Sequence, residues 1–390
     1  MLRASHTDPP LAGIRGARVL TPEGLAPASF AVDETLLHRA ASSDAFLDAG
    51  DLLVLPGIVD IHGDAFERAL RPRAGVQVPH ATALTDVDGQ LLANGITTAY
   101  HGVTISWEGG LRGLAVAEQM LHALQERGVR WGADHRFHLR LEARFVEGWA
   151  AASRWIEAGH VHFLSINDHW PQLAAKLDDP VHLARYAERA ECDVQTFVQR
   201  VEAASQTVPE APGLAQLVAQ ARRAGLSVAS HDDPDAAQRR RLSLWGCNVA
   251  EFPLSEDAAR EARVAGDLIV FGAPNVLRGG SHVGAPRAED MVRKGLCDVL
   301  TSDYYYPSPL LAAFDLARRE VLSFPEAWSM VSHHAATAVG LTDRGRLETG
   351  QRADFLLVDD AVPGQPRVVA SVVAGALRFA LRAFETGTLR

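Results

Sequence analysis

Eight short apolar runs, each closing on a histidine, a carboxylate or an asparagine, alternate along this chain with stretches of helical spacing. The closing residues are His62, His101, Glu142, His169, His231, Glu251, Asn275 and Asp303. A strand followed by a helix, repeated eight times, is the pattern of an α/β fold of the (β/α)8 barrel kind. All strands of such a barrel end on one face, so polar residues far apart in the chain would converge into one pocket. Chance would scatter them along the strands.

The stretch from Leu53 to Arg68, LVLPGIVDIHGDAFER, is the clearest instance. Val54, Leu55, Ile58, Val59 and Ile61 read as one nearly continuous strand, as expected when both faces are buried. Residues two apart on a strand face the same way, so His62 and Asp64 can reach one point, with Gly63 keeping the backbone between them slim. An imidazole and a carboxylate at a strand end suit a borderline cation such as zinc, manganese or iron(II). For the pair taken alone, an ordinary His–Asp hydrogen bond is the other reading.

Outside the repeat the pattern changes. Residues 13–33 read as a hairpin about a Pro-Glu-Gly turn, and LETGQRADFLLVDD and PRVVASVVAGALRF near the other end read as further strands about glycines. Residues 1–52 and 344–390 are therefore expected to form a small β-sandwich domain from both chain ends, around a barrel of residues 53–343.

A length of 390 residues allows these two interlocked units. A net charge of −10 argues against a nucleic-acid partner, although a local arginine cluster could still hold a small anion. Cys192, Cys247 and Cys297 are scattered with no CxxC, which fits reduced thiols in a cytoplasm. The apolar runs are too short to cross a bilayer and none follows a basic start, so no membrane partner is expected.

These residues also carry a resemblance. LPGIVDIHGD is similar to the PG-[LIV]-[LIV]-D-x-H-x-[HD] opening of the amidohydrolase superfamily, and GRLETGQRADFLLVDD resembles the returning strands of its β-domain. HLRLE, SINDH, ASHDD, AEFP, GAPNVLRGGSH and LTSDY resemble, in order, blocks of one branch across residues 53–306. That branch is the PhnM family of α-D-ribose 1-methylphosphonate 5-triphosphate diphosphatases.

The resemblance implies one or two divalent cations, zinc foremost, with manganese or iron as alternatives. His62 and Asp64 would hold one metal, His169 and His231 a second, and Glu142 would bridge them. Asp303 would lie against the water that the cations acidify, as ligand, general base, or both. Several alternatives stay open. Asp168 stands beside His169 and either could be the ligand; Glu142 could pair with Arg140 or Arg144; Asp232 and Asp233 could orient His231. His101 and His282 could touch substrate or be plain polar residues, His122 and His182 are expected on the surface, and Tyr304, Tyr305 and Tyr306 are expected to pack.

The implied reaction is water attack on a phosphorus of the 5-triphosphate, releasing pyrophosphate in phosphonate catabolism. An acidic protein can bind such a small anionic substrate only by placing cations locally. Arg68, Arg140 and Arg278 lie in or just after strand-end motifs, where guanidinium suits phosphate oxygens, and Asn275 and His282 complete the expected substrate contacts. Gly279, Gly280 and Ser281 could add backbone N–H groups. The chain departs from the branch in two places: HGDAFE stands for HTDNLE, and WPQL for a TPGQ-like loop. Both bear on specificity, because loops at this face bind substrate. An amidohydrolase or deaminase acting on a cyclic amide, N-acyl group or amino-heterocycle would keep the metal residues and lose the phosphate contacts. A non-catalytic scaffold is a third class. A homo-oligomer is compatible with the superfamily, although no self-complementary patch can be read.

Overall fold

The computed structural model describes residues 11–21, 23–39, 47–73, 75–126, 131–208, 212–281, 284–381, 384–385 and 388–389. Its centre is a barrel of eight parallel strands: β1 (Ile58–Gly63), β2 (Ile96–Ile105), β3 (Asp134–Glu142), β4 (Phe163–Asn167), β5 (Val228–His231), β6 (Val249–Glu251), β7 (Leu268–Gly272) and β8 (Val299–Thr301). Neighbours pair in chain order, as the alternation predicts. Closure of β8 onto β1 is less regular. The Asp303 N–H donates to the His62 carbonyl and the Asp64 N–H to the Asp303 carbonyl, both at 2.9 Å. Below them the Asp60 carboxylate accepts the Ser302 N–H at 2.9 Å and its hydroxyl at 2.5 Å. The lowest part of the seam is filled by residues 330–331, whose carbonyls take the N–H groups of Leu300 and Val59.

The run from Leu53 to Gly63 is two strands, where the sequence suggests one. Leu53–Pro56 lies in the terminal sheet, antiparallel to Phe355–Asp359 and parallel to Gly13–Thr21. The barrel begins only after Gly57. Hydrophobicity hides this break because both faces are covered. Leu53 and Leu55 join the large core around the barrel, whereas Val54 joins Ile14, Phe355 and Leu357 in a core belonging to the terminal sheet. With apolar neighbours on both sides, the period-two signal disappears.

That terminal sheet runs Ala376–Ala380, Arg367–Val373, Phe355–Asp359, Leu53–Pro56, Gly13–Thr21, Gly24–Asp33, Leu36–Arg39, with Leu47–Asp48 also on Gly13–Thr21. Its far edge turns back, so that Leu37 exchanges hydrogen bonds with residues 350 and 351. Both chain ends thus contribute, with Leu53–Pro56, to one curled second sheet with a small core of its own.

Inside the barrel the side chains form storeys. Val59, Tyr100, Phe163, Ala229, Val249, Val270 and Val299 make an apolar floor, closed from below by the alanines of the helix His333–Ala338. β3 shows how polar storeys are placed above it. Phe137, Leu139 and Leu141 point out to the helices, so His138, Arg140 and Glu142 must point in. Among the described residues, no helix is long and apolar enough to cross a membrane.

Gly57 at the break has no room for a side chain: a Cβ there would lie 2.2 Å from Thr97 Oγ1 and 2.6 Å from Thr97 Cγ2. Gly57→Ala is expected to lower unfolding stability by about 1–3 kcal/mol in denaturant melts. Adding Thr97→Ala should recover part of that loss, because the two changes share one contact.

Candidate metal centre

The first polar storey is organised by Glu251, at the end of β6 and fully buried. Its Oε1 lies 2.9 Å from His62 Nδ1, and its Oε2 accepts the Ser165 hydroxyl at 2.6 Å and lies 3.3 Å from His231 Nδ1. His138 Nε2 stands 2.6 Å from the Ser165 oxygen. The network assigns N–H to both Nδ1 atoms on Glu251 and to His138 Nε2, leaving the Nε2 atoms of His62 and His231 with their lone pairs. Burial, helped by the charge of Arg140, lowers the His62 pKa to about 3 and so keeps it neutral. Burial also lowers His138 to about 3, against the pull of Glu251. Burial alone would raise Glu251, yet His138, His231 and Ser165 hold its pKa below the usual value.

Above this storey lie Arg140, Asp64, Asp303 and Asp232. Arg140 Nη2 donates to His231 Nε2 at 2.8 Å, and its Nη1 is 3.8 Å from Asp64 Oδ2. Asp232 and Asp303 adopt the left-handed region, with φ of 58° and 53°, which non-glycine residues seldom occupy. Backbone bonds to Glu251 and His62 hold them there, and such strain is typical where loops present functional groups. Burial, then the neighbouring Asp64, raises the Asp303 pKa to about 8.

His169 sits just past β4. Its Nδ1 makes a short contact with Glu142, its N–H donates to Glu142 Oε2 at 3.1 Å, and its Nε2 is 3.4 Å from Asp232 Oδ2. Burial alone would lower the His169 pKa, but Glu142 and Asp232 outweigh it and raise it to about 9. The pairings of Glu142 with Arg140 or Arg144 do not occur. Arg144 instead takes Asp168 in a two-pronged contact at 2.9 and 3.3 Å, which leaves His169 as the group facing the centre.

A cavity of about 190 Å³ opens on this cluster. His62, Asp64, Arg140, His231, Asp232 and Asp303 line it, with Phe252, Leu254 and Phe271 as an apolar wall and Arg278, Gly280, Ser281 and Tyr304 beside them. Glu142 and His169 are not in the lining, although His169 contacts Asp232.

The expected substrate residues divide. Arg278 lines the cavity, its Nη1 3.2 Å from the Tyr304 hydroxyl. Arg68 is turned to the Tyr304 carbonyl and does not line it. Asn275 lines it but has both polar atoms on backbone, Pro286 O at 3.1 Å and Ala288 N at 3.0 Å, so it holds a loop in place. His282 lies outside the described residues. His101 is in mid-strand, hydrogen-bonded to His135, which reaches Asp88, and is not in the lining. Asp233 grips Ser230 and Arg239, away from the His231 ring. His122 is exposed and His182 partly so, bonded to Asp179. Of the tyrosines, Tyr306 packs in the core, whereas Tyr304 faces the cavity.

Glu251, Asp232, His138 and Ser165 were not assigned to the metal site from sequence. His138 had a signal, being two residues before Arg140 on an alternating strand. Two donor groups have ligand atoms within 4.8 Å of one another: His62, His231 and Glu251, and His169, His231 and Asp232. Imidazoles with carboxylates are the donors of a borderline divalent cation, so the residues present fit one.

Comparison with known proteins agrees with this geometry. Residues 81–379 match the amidohydrolase family. The α-D-ribose 1-methylphosphonate 5-triphosphate diphosphatase of Escherichia coli (strain K12) is 33% identical over 314 residues, covering 78% of this chain and 82% of that protein. The imidazolonepropionase of Deinococcus deserti is 26% identical over 344 residues, covering 82% and 80%. The structure of 5-methylcytosine deaminase from Klebsiella pneumoniae shares the fold, with a TM-score of 0.62 at 17% identity over 96% of this chain and 99% of that one. With a barrel whose strand ends carry converging histidines and carboxylates, and a family match spanning most of its length, this chain belongs to the amidohydrolase family and is a hydrolase of that superfamily.

Proposed function

We propose that the protein hydrolyses a phosphoanhydride of α-D-ribose 1-methylphosphonate 5-triphosphate, or of a related triphosphate, in the cytoplasm during phosphonate catabolism. The observation that carries this reading is the 33% identity to the diphosphatase over about four-fifths of both chains. The cavity supports it, because an acidic protein sets Arg140 and Arg278 in its lining.

His62, Asp64, His169 and His231, with Asp232 and Glu251 nearby, would hold the cation or cations, and Glu142 would fix His169. The chemistry that a divalent cation, with zinc the first candidate, would supply there is acidification of water and polarisation of a phosphoryl oxygen. With a cation beside it to offset burial and Asp64, Asp303 would be ionised, and its carboxylate would take the proton of the attacking water and pass it to the departing pyrophosphate. The water oxygen bonds to the phosphorus nearest the ribose as that phosphorus–oxygen anhydride bond breaks, leaving the 5-phosphate. Arg278 pairs with phosphate oxygens at the loop of Gly280 and Ser281. The Phe252, Leu254 and Phe271 wall reduces solvent screening beside the charges.

Trp170, where the diphosphatases have a small hydroxyl residue, bonds through its indole N–H to the Val201 carbonyl and stacks under Arg144 at 4.5 Å. Its substitution therefore anchors the helices Pro180–Arg189 and Val194–Ser205 over this side of the barrel. A second reading rests on the 26% identity to an imidazolonepropionase: hydrolysis of a cyclic amide by the same residues.

Protein loaded with zinc or manganese is expected to release pyrophosphate from the ribosyl triphosphate, and a chelator should abolish this. No pyrophosphate from that compound or from nucleoside triphosphates would sink the proposal, and turnover of imidazolonepropionate instead would favour the second reading. Asp303→Asn should keep more metal than His231→Ala while losing turnover by about 10²–10⁴-fold; equal metal loss in both would make Asp303 primarily a ligand. Arg278→Ala should raise KM about tenfold and leave kcat nearly unchanged, since it binds ground and transition state alike.

A further inference from the structure

Arg140, Arg144 and Arg239 are buried or half-buried on the barrel, and their surroundings differ. Arg239 is fully enclosed, and both of its terminal nitrogens are bonded, to Ser230, Ser243, Asp267 and the carbonyls of Val249 and Cys247, with its Nε alone lacking a partner. Arg144 is clamped by both oxygens of Asp168. Arg140 is 5% exposed, yet among the described residues its hydrogen bond is to His231 Nε2, with Asp64 at the looser 3.8 Å and its Nε without a partner. A guanidinium has five N–H donors, so this one is poorly satisfied. Gly102 on the neighbouring strand makes room for its stem; a Cβ there would come 3.2 Å from Arg140 Cδ and 3.5 Å from His62 Nε2.

The atom that Arg140 occupies is the decisive point. The one lone pair of His231 Nε2 can serve an N–H or a metal ion, not both. His62, Asp64, Asp232 and Asp303 line the same cavity, with Asp232 Oδ1 3.6 Å from His231 Nε2, and three carboxylates there favour a positive charge. We propose that Arg140 is a built-in counterion of the metal centre: its guanidinium compensates the carboxylates when no metal is bound, and an incoming divalent cation must expel it to take His231. Metal affinity is then set partly by the work of removing Arg140, a mutual exclusion of two cations from one site. This goes beyond the proposed reaction, and its test needs no substrate.

Metal-stripped wild type, Arg140→Met and Arg140→Gln are titrated with zinc against a competing chelator, and each is melted with and without zinc. Met removes the charge and the donor, while Gln removes the charge and keeps an amide that can still bond His231. Both variants should bind zinc more tightly than wild type, Arg140→Met by about tenfold, the worth of one charge-assisted hydrogen bond. Both should also gain more in melting temperature from zinc than wild type does, because their metal-free forms lack the compensating charge. A variant that folds only with zinc would support the proposal. Unchanged or weaker zinc binding in both variants, or no zinc binding by any of the three proteins, would overturn it.

Discussion

A carboxylate with no access to solvent has to be met by donors, and Glu251 is met by residues from three other strands. His62 comes from β1, Ser165 from β4 and His231 from β5, and His138 of β3 reaches it through Ser165. An unpaired charge at this depth would cost several kcal/mol, so the contacts are interdependent. They fix which nitrogen of each imidazole carries its proton and which faces the cavity. A histidine whose far nitrogen is held by a carboxylate is the usual way to prepare its near nitrogen as a ligand. The centre above the storey therefore inherits its geometry from a group that lies below the cavity.

The storeys divide the work. The apolar floor and its alanine-lined plug resist water from beneath, so the polar groups above are reached only from the strand-end face. Carboxylates at the top carry the strain, with Asp232 and Asp303 both in left-handed backbone. Helices between β4 and β5 add a separate apolar cluster, with Trp107 and Trp170 packed against it, to one side of the entrance. A diphosphatase and an imidazolonepropionase are both similar to this chain over about four-fifths of its length, so one framework carries different chemistries.

Much of this was legible from sequence where the two faces of a strand differ in polarity. The HLRLE strand is buried on both faces yet alternates, so the inward positions of Arg140 and Glu142 follow from spacing alone. Legibility failed where both faces are apolar: the run through Pro56 and Gly57 conceals a passage from one sheet to another. It failed again for partners distant in the chain. Nothing local shows that Arg144 would take Asp168 and free His169, that Glu251 would collect histidines, or that Arg140 would sit among the candidate ligands. Asn275 shows the converse, a polar residue at the right strand end whose two polar atoms are spent on its own loop.

The seam between the first and last barrel strands has a consequence for biosynthesis. Asp60 and Ser302 are 242 residues apart, and the Asp303 that completes the centre arrives beside His62 and Asp64 only through that junction. Contacts so remote in the chain form late, because the entropy of closing so large a loop is offset only when most of the domain is already ordered. A nascent chain emerging from the ribosome carries its first metal-binding candidates long before the residue that completes them. On the proposed assignment of Asp303, competence for hydrolysis coincides with completion of the barrel, and partly made chains carry an unfinished centre.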